Sequence, residues 1–210
     1  MGRRRTLSVH LTPAAAARED DEMGLALVPP HPPLTSDDFL LRPFGAHDVG
    51  AIVASGDDPE IVRHTFMPEH PTTAAARDWL ERAITGWAQG EARFAIVACD
   101  DPTDQCLGQI GLALQDHPRG NGEAFYWLLP QARGRGWAGK ALRLVSCWGF
   151  AALGVERVFV LIEPDNGPSI DAARSAGFEP EGILRGYEHL PGRGRLDLWS
   201  WSFLASDVEH

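Results

Sequence analysis

The stretch of this 210-residue chain with the clearest chemistry runs Pro130-Gln131-Ala132-Arg133-Gly134-Arg135-Gly136-Trp137-Ala138-Gly139-Lys140. It brings three glycines and three cations into one turn, after a strand-like apolar run (EAFYWLL) and ahead of an apolar-periodic helix. Glycines at such a turn let successive backbone N–H groups converge on one concavity, and the helix start adds about half a positive charge. The product is an anion cradle suited to a phosphate or pyrophosphate. The Walker pattern GxxxxGK[ST] is absent. Gly134, Gly136 and Gly139 come close to the dinucleotide fingerprint GxGxxG, but that reading wants the turn early, in a parallel βαβ unit, and three hairpin-type strands precede it here.

Further polar side chains lie at the ends of the elements around this turn. Glu123 opens the strand before the cradle, Asn166 and Ser169 begin a later short helix, and Tyr187 lies near the end of the chain with Glu188 and His189 beside it. Each also has an ordinary reading: Glu123 as an exposed strand carboxylate, Asn166 as a helix N-cap, and Glu188, His189 and the loop residue His117 as surface groups. No Ser/His/Asp triad order is visible, and the eight histidines and three cysteines show no metal-ligand spacing.

The elements that must position these groups follow from periodicity. Residues 39–43 read as a short strand and 47–55 as a short helix, followed by an Asp57-Asp58-Pro59 turn. Thr72 or Thr73 caps a long amphipathic helix with Ala76, Trp79, Leu80, Ala83, Ile84 and Trp87 on its apolar stripe, ending at Gly90. Residues 93–99 and 106–114 form a hairpin, and 123–129 a third strand. A helix spans about 136–153, an all-apolar strand buried on both faces spans 157–163, and a helix spans 166–176. Strands near 182–189 and 196–204 close the chain. Hairpin strands followed by a strand–helix–strand unit imply an α+β (mixed α/β) fold. Residues 1–33, with Arg3-Arg4-Arg5, EDDE and VPPHPP, read as a flexible Pro/Ala-rich tail, leaving 34–210 as the domain.

Composition narrows the function classes. The formal charge is −10, with 29 acidic against 19 basic residues, which argues against a general nucleic-acid binder. No run approaches the ~18–20 apolar residues of a transmembrane helix, and the arginine triplet lacks the apolar stretch of an export leader. Cys99, Cys106 and Cys147 read as reduced packing residues. A cytoplasmic protein, monomer or homodimer, is expected.

These residues resemble a known family. Arg133-x-x-Gly136-x-Ala138 is similar to the [Gln/Arg]-x-x-Gly-x-[Gly/Ala] acyl-CoA motif of the GNAT superfamily of N-acetyltransferases. The runs EAFYWLLPQARGRGWAGKAL, EPDNGPSIDAARSAGFEPEGILRGY, FLLRPFGAHDVGAI and WSWSFL resemble its ribosomal-protein N-terminal (alanine/serine) acetyltransferase branch, together covering residues 34–206. The resemblance implies a GNAT fold: a mixed, mostly antiparallel, splayed sheet of six to seven strands with helices on both faces. It implies acetyl-CoA as co-substrate, with the amides of Gly134, Arg135, Gly136, Trp137, Ala138 and Gly139 on the pyrophosphate and Arg133 and Arg135 adding charge. Trp127, Leu128 and Leu129 would pair with the pantetheine arm through their backbone, near Asn166. It implies Glu123 as general base, Ser169 near the sulfur and Tyr187 as acid, with a protein N-terminus or small-molecule amine as acceptor. Phe125 stands where relatives often have glycine, and Gly139-Lys140 where they have Thr-Glu or similar; Phe125 is expected to narrow the acceptor cleft. The alternative functions are a non-catalytic acyl-CoA-binding sensor or partner module, and a nucleotide or phosphate-ester binder.

Overall fold

A computed structural model describes residues 26–116, 120–190 and 192–208. Eight strands form one sheet in the order β1-β2-β3-β4-β5-β6-β8-β7, more than the six to seven expected. They are β1 (Leu34–Thr35), β2 (Phe39–Pro43), β3 (Glu91–Ala98), β4 (Cys106–Asp116), β5 (Asn121–Leu128), β6 (Arg157–Ile162), β7 (Glu179–Leu190) and β8 (Gly194–Leu204). Every pairing is antiparallel except β5 with β6. That exception carries the cradle, because β5, its turn and the next helix make the one parallel β-α-β unit.

Helices α1 (Val49–Gly56), α2 (Pro59–His64) and α3 (Thr73–Thr85) cover one face of the sheet; α4 (Trp137–Leu153) and α5 (Gly167–Ala176) cover the other. Strand alternation sorts the core accordingly. Phe94, Ile96, Ile110, Leu112 and Ala124 point toward α4, while Ala95, Val97 and Trp127 point toward α1–α3.

Several expectations change. The Asp57-Asp58-Pro59 segment starts helix α2: Asp58 accepts from the amides of Glu60 and Ile61, and proline takes the first turn, where its missing N–H costs nothing. Ile84 is exposed although its stripe partners are buried, since α3 ends one residue later and passes into a 3-10 turn. β6 is buried on one face only, through Val158, Val160 and Ile162, because α1–α3 do not extend over its other side. Cys99 is exposed, just beyond the end of β3, while Cys106 is buried. The packed chain also starts before Leu34: Leu27 is buried and its amide donates to Trp87 O at 2.8 Å. Residues 1–25 of the expected tail lie outside the described residues. Among the described residues no helix is long and apolar enough to cross a membrane.

Helices α4 and α5 touch at Gly139, where a Cβ would come within 2.1 Å of Ser175 Oγ and 3.0 Å of Ala172 O. The serine can rotate away, but the carbonyl cannot. Gly139→Ala is expected to cost about 1–3 kcal/mol through overpacking, read as a lower midpoint in denaturant unfolding.

Candidate active site

The site begins where a ladder ends. β5 pairs with β6 only through Asn121, Gly122 and Glu123, opposite Arg157, Val158 and Phe159. Beyond Glu123 the two strands part, each still held on its far side, β5 by β4 and β6 by β8. The facing edges of residues 124–128 and 160–162 therefore have no strand partner, and buried backbone polar groups require one. The resulting cleft is continuous with a cavity of about 500 Å³.

At the mouth of this splay, Gly134 and Gly136 adopt left-handed φ values of 75° and 70°. Nothing lies within 4 Å of where a Cβ would sit on either, so the conformation demands glycine and the space above them is open. Gly136 N-caps α4 without a side-chain hydrogen bond, and the first helical bond of the turn runs from Lys140 N to Gly136 O. The amides of Trp137, Ala138 and Gly139 thus belong to the first turn, which has no intrahelical acceptors to offer. This geometry fits an anionic group. Trp137 turns its side chain into the core against Phe39 and offers only its amide.

The cations are partly engaged. Arg133 donates through Nε to Leu128 O (3.0 Å) and through Nη2 to Asp58 Oδ1 (2.9 Å), Arg135 stacks on Trp137 with its guanidinium carbon 5.1 Å from the ring centroid, and Lys140 pairs with Asp38. Burial alone would raise the Asp58 carboxyl, but hydrogen bonds from Arg133 and the Ile61 and Glu60 amides outweigh it and hold it below the usual range.

On the α5 side, Asn166 Oδ1 accepts from Ser169 N at 3.2 Å, the N-cap of the ordinary reading, and both residues line the cavity. Tyr126 joins them, donating its hydroxyl to Ser169 O at 3.2 Å. Burial pushes its phenol up to about 12, although the Ser169 side chain works the other way. Sequence reading missed Tyr126. Alternation along β5 assigns it to the α5 side, but only the splay turns that face into a cavity wall.

The opposite wall is a grid. Register pairs Glu91 with Ala113 and Glu123, Arg93 with Gly111 and Phe125, and Ala95 with Gln109 and Trp127. These three rungs on β3, β4 and β5 share one face. Glu123 is thus both the last residue of the β5–β6 ladder and a corner of the cavity floor. A Cβ on Gly111 would lie 2.3 Å from the Phe125 ring, which fills that gap. Trp79 from α3 is buried and also borders the cavity, so it packs the helix and lines the pocket at once. Leu128 is half-buried and Leu129 buried, packing on opposite faces of the sheet.

Loop residues Thr65, Phe66 and Met67 roof the cavity, and Tyr187, Glu188 and Leu190 border it from β7. Tyr187, 55% exposed, sits on an irregular part of the β7–β8 ladder beside Gly186 at φ 56°. His189 is exposed and His117 lies outside the described residues. The roof is tied down by ion pairs between side chains. Arg63 Nη2 meets Asp165 at 2.5 Å, and Arg193 donates to Glu163 at 2.5 and 3.0 Å and to Arg63 O at 2.7 Å. His64 Nδ1 lies 3.2 Å from Glu163. Burial opposes ionisation of Glu163, yet Arg193 and His64 hold its carboxyl low. Ligand atoms of His64, Glu163 and Asp165 fall within 4.8 Å of one another, but the two arginines already take the carboxylates, which makes this an ion-pair network.

Comparison with known proteins agrees with this architecture. Residues 38–179 match the family described as Acetyltransferase (GNAT) domain. The chain is 30% identical over 172 residues to the uncharacterized N-acetyltransferase p20 of Bacillus licheniformis, covering 81% of this chain and 95% of that one. It is 25% identical over 144 residues to a spermidine N(1)-acetyltransferase of Escherichia coli, covering 69% and 74%. The structure superposes on the ribosomal-protein-S5-alanine acetyltransferase of Vibrio fischeri with TM-score 0.69 at 18% identity, over 85% of this chain and 99% of that one, a likeness of fold. The chain belongs to the GNAT acetyltransferase family and is an acyltransferase.

Because Asp58 both caps α2 and holds Arg133, Asp58→Ala is expected to cost about 1–2 kcal/mol at neutral pH. The folded carboxyl titrates below its unfolded value of about 3.9, so its contribution is complete above that value and is lost as pH falls through the folded one. Denaturant melts of wild type and Asp58→Asn should therefore differ at pH 7 and converge as the pH is lowered below about 4.

Proposed function

We propose that this family member transfers an acetyl group from acetyl-CoA to a primary amine, with direct attack assisted by a general base. The observation that carries the reading is the parting of β5 and β6 immediately after Glu123, beside a helix start that has no side-chain cap. Bound acetyl-CoA would supply a thioester-activated acetyl group. The amides of Gly134 to Gly139 would hold the pyrophosphate, with Arg135 adding charge at the edge of the turn. Arg133 would act chiefly by fixing the turn, since Asp58 already shares its charge. The open edge at Trp127 and Leu128 would pair with the pantetheine amides; the expected contribution of Leu129 falls away, because its amide donates to Leu107 O and its carbonyl accepts from Ala132 N.

Glu123, at the junction of splay and floor, would take the proton that the amine must shed, directly or through water; a free amine with pKa ~8–10 is largely protonated at neutral pH. Ser169, positioned by the Asn166 cap and by Tyr126, would donate its hydroxyl toward the departing sulfur. The exposure of Tyr187 suits it less to proton donation at the reacting centre than to lining the mouth through which the acceptor enters. The acceptor would lie on the floor under residues 65–67.

Calorimetric titration with acetyl-CoA tests the first half. Wild type is expected to bind and Gly136→Glu, with a bulky carboxylate in the cradle, to lose binding. A thiol-release assay across peptides and amines tests the second half. Glu123→Gln is expected to lower kcat/KM by about 10²-fold or more with acetyl-CoA affinity unchanged. Binding without turnover of any amine would instead favour the acyl-CoA sensor module.

A further inference from the structure

The floor of the cavity is crossed by a bar of three side chains in contact. The Phe125 ring leans from β5 over Gly111 of β4, so that a Cβ there would collide with the ring carbons Cε2 and Cζ. Arg93 meets the ring from β3, its guanidinium carbon 4.7 Å from the Phe125 centroid and 5.3 Å from that of Trp79. Trp79 is buried on α3 and packs edge-on with Phe44, their centroids 5.5 Å apart. A guanidinium lying over two aromatic rings is attracted to both, and Arg93 Nε is also engaged by Glu91. The bar therefore spans β5, β4 and β3 and ends anchored in the core beneath α3.

The place of the bar along the strands gives it a role. Register sets Glu123 on the next rung and the same face, roughly 7 Å from Phe125 between Cα atoms. On the other side of Glu123 the β5–β6 ladder is closed through Gly122 and Asn121. Glu123 thus stands at the blind end of the slot, and a molecule reaching its carboxylate along the floor must pass the bar. Gly111, without a side chain, would be the lowest point of that crossing, and the Phe125 ring fills it. We infer that Phe125 sets the acceptor class: the amine acetylated here is carried on an unbranched methylene, and an amine whose carbon bears a side chain, as at most protein N-termini, is excluded. The inference rests on the acetyl-transfer reading with Glu123 as base and deepens it by choosing between small amines and protein N-termini. With the nitrogen at the carboxylate, the substituents of the adjoining carbon lie against the ring. Hydrogens fit there, whereas a methyl group or longer branch needs the space that the ring occupies. Arg93, held by Trp79 and Glu91, keeps the ring from turning aside toward β3. One methylene too many in a pocket is worth about 10–200-fold in kcat/KM.

Matched amines of equal charge isolate the branch: glycinamide with L-alaninamide, and n-butylamine with sec-butylamine. Thiol release from acetyl-CoA reads kcat/KM, and calorimetry with acetyl-CoA certifies the folding of each variant. Wild type is expected to favour the unbranched member of each pair by about tenfold or more. Phe125→Ala should bring that ratio below about threefold while binding acetyl-CoA within about twofold of wild type. Phe125→Leu keeps apolar bulk but lacks the ring tip over Gly111; its ratio should fall between, and it carries the test if the alanine variant does not fold. Gly111→Ala pushes the ring further into the cavity and is expected to lower kcat/KM on n-butylamine about tenfold. In the Phe125→Ala background, where no ring stands above it, the same change should cost nothing, the non-additivity that marks two sites in contact. Equal use of both members by wild type, a ratio unchanged in Phe125→Ala and Phe125→Leu, additive effects of the two alanine substitutions, or turnover of none of the four amines would each overturn the assignment. Failure of wild type to bind acetyl-CoA would instead remove the transferase reading beneath it.

Discussion

A backbone polar group taken out of water must find a partner, and the candidate site of this protein is built around two strand edges that find none in each other. β5 and β6 stay paired for three residues and then separate. β4 and β8 pull them to either side, and both outer ladders continue past the point of separation. The consequences are geometric. A slot opens within a sheet that is otherwise closed, residues on β5 acquire two accessible faces, and the loop leaving β5 arrives at the mouth of the slot. A ligand carrying amide groups along its length suits such a slot because it restores the missing ladder.

Around this opening, charge pairs join parts that are distant in sequence. Asp58 caps α2 and holds Arg133 of the cradle. The far end of α2 is tied through His64 and Arg63 to Glu163 and Asp165, in the turn that leads to the Asn166 cap. Arg193 closes the circuit from the β7–β8 hairpin. Exposed pairs of this kind contribute little individually, but here they span the cavity roof and set where its three walls stand. The cradle, the roof and the α5 turn are consequently positioned together.

Much of this was readable before the fold was known. The glycine turn, the Asn166 cap, Thr72 as the cap of the long helix, Gly90 as the stop after its closing 3-10 turn, and the hairpins all announced themselves through residue types whose backbone preferences are strong. What escaped depended on neighbours distant in sequence. Arg133 looks like a phosphate ligand until Asp58, 75 residues away, is seen to share it. Tyr126 looks like one more apolar strand residue until the splay exposes its face. The α2 helix hid behind an Asp-Pro pair that starts a helix and makes a turn with equal ease. β6 looked buried on both faces because period-2 reading of an apolar run cannot tell whether a second layer exists. Arg93 has no motif at all: it stands across Gly111 from Phe125 and against its ring, a relation that only strand register creates.

That register also separates what can vary from what cannot. Glu91, Arg93, Gln109, Glu123 and Phe125 alternate along their strands with Ala92, Phe94, Ile110, Leu112 and Ala124, which build the core beneath α4. Successive residues on a strand point to opposite faces, so the working surface and the load it rests on are interleaved yet share few side-chain contacts. Lineages could rewrite the floor residue by residue, exchanging one acceptor for another, while the hydrophobic seam behind it keeps the slot at constant width. A change such as glycine to phenylalanine at position 125 is the kind of edit this arrangement tolerates, which makes the fold a durable chassis for divergent chemistry.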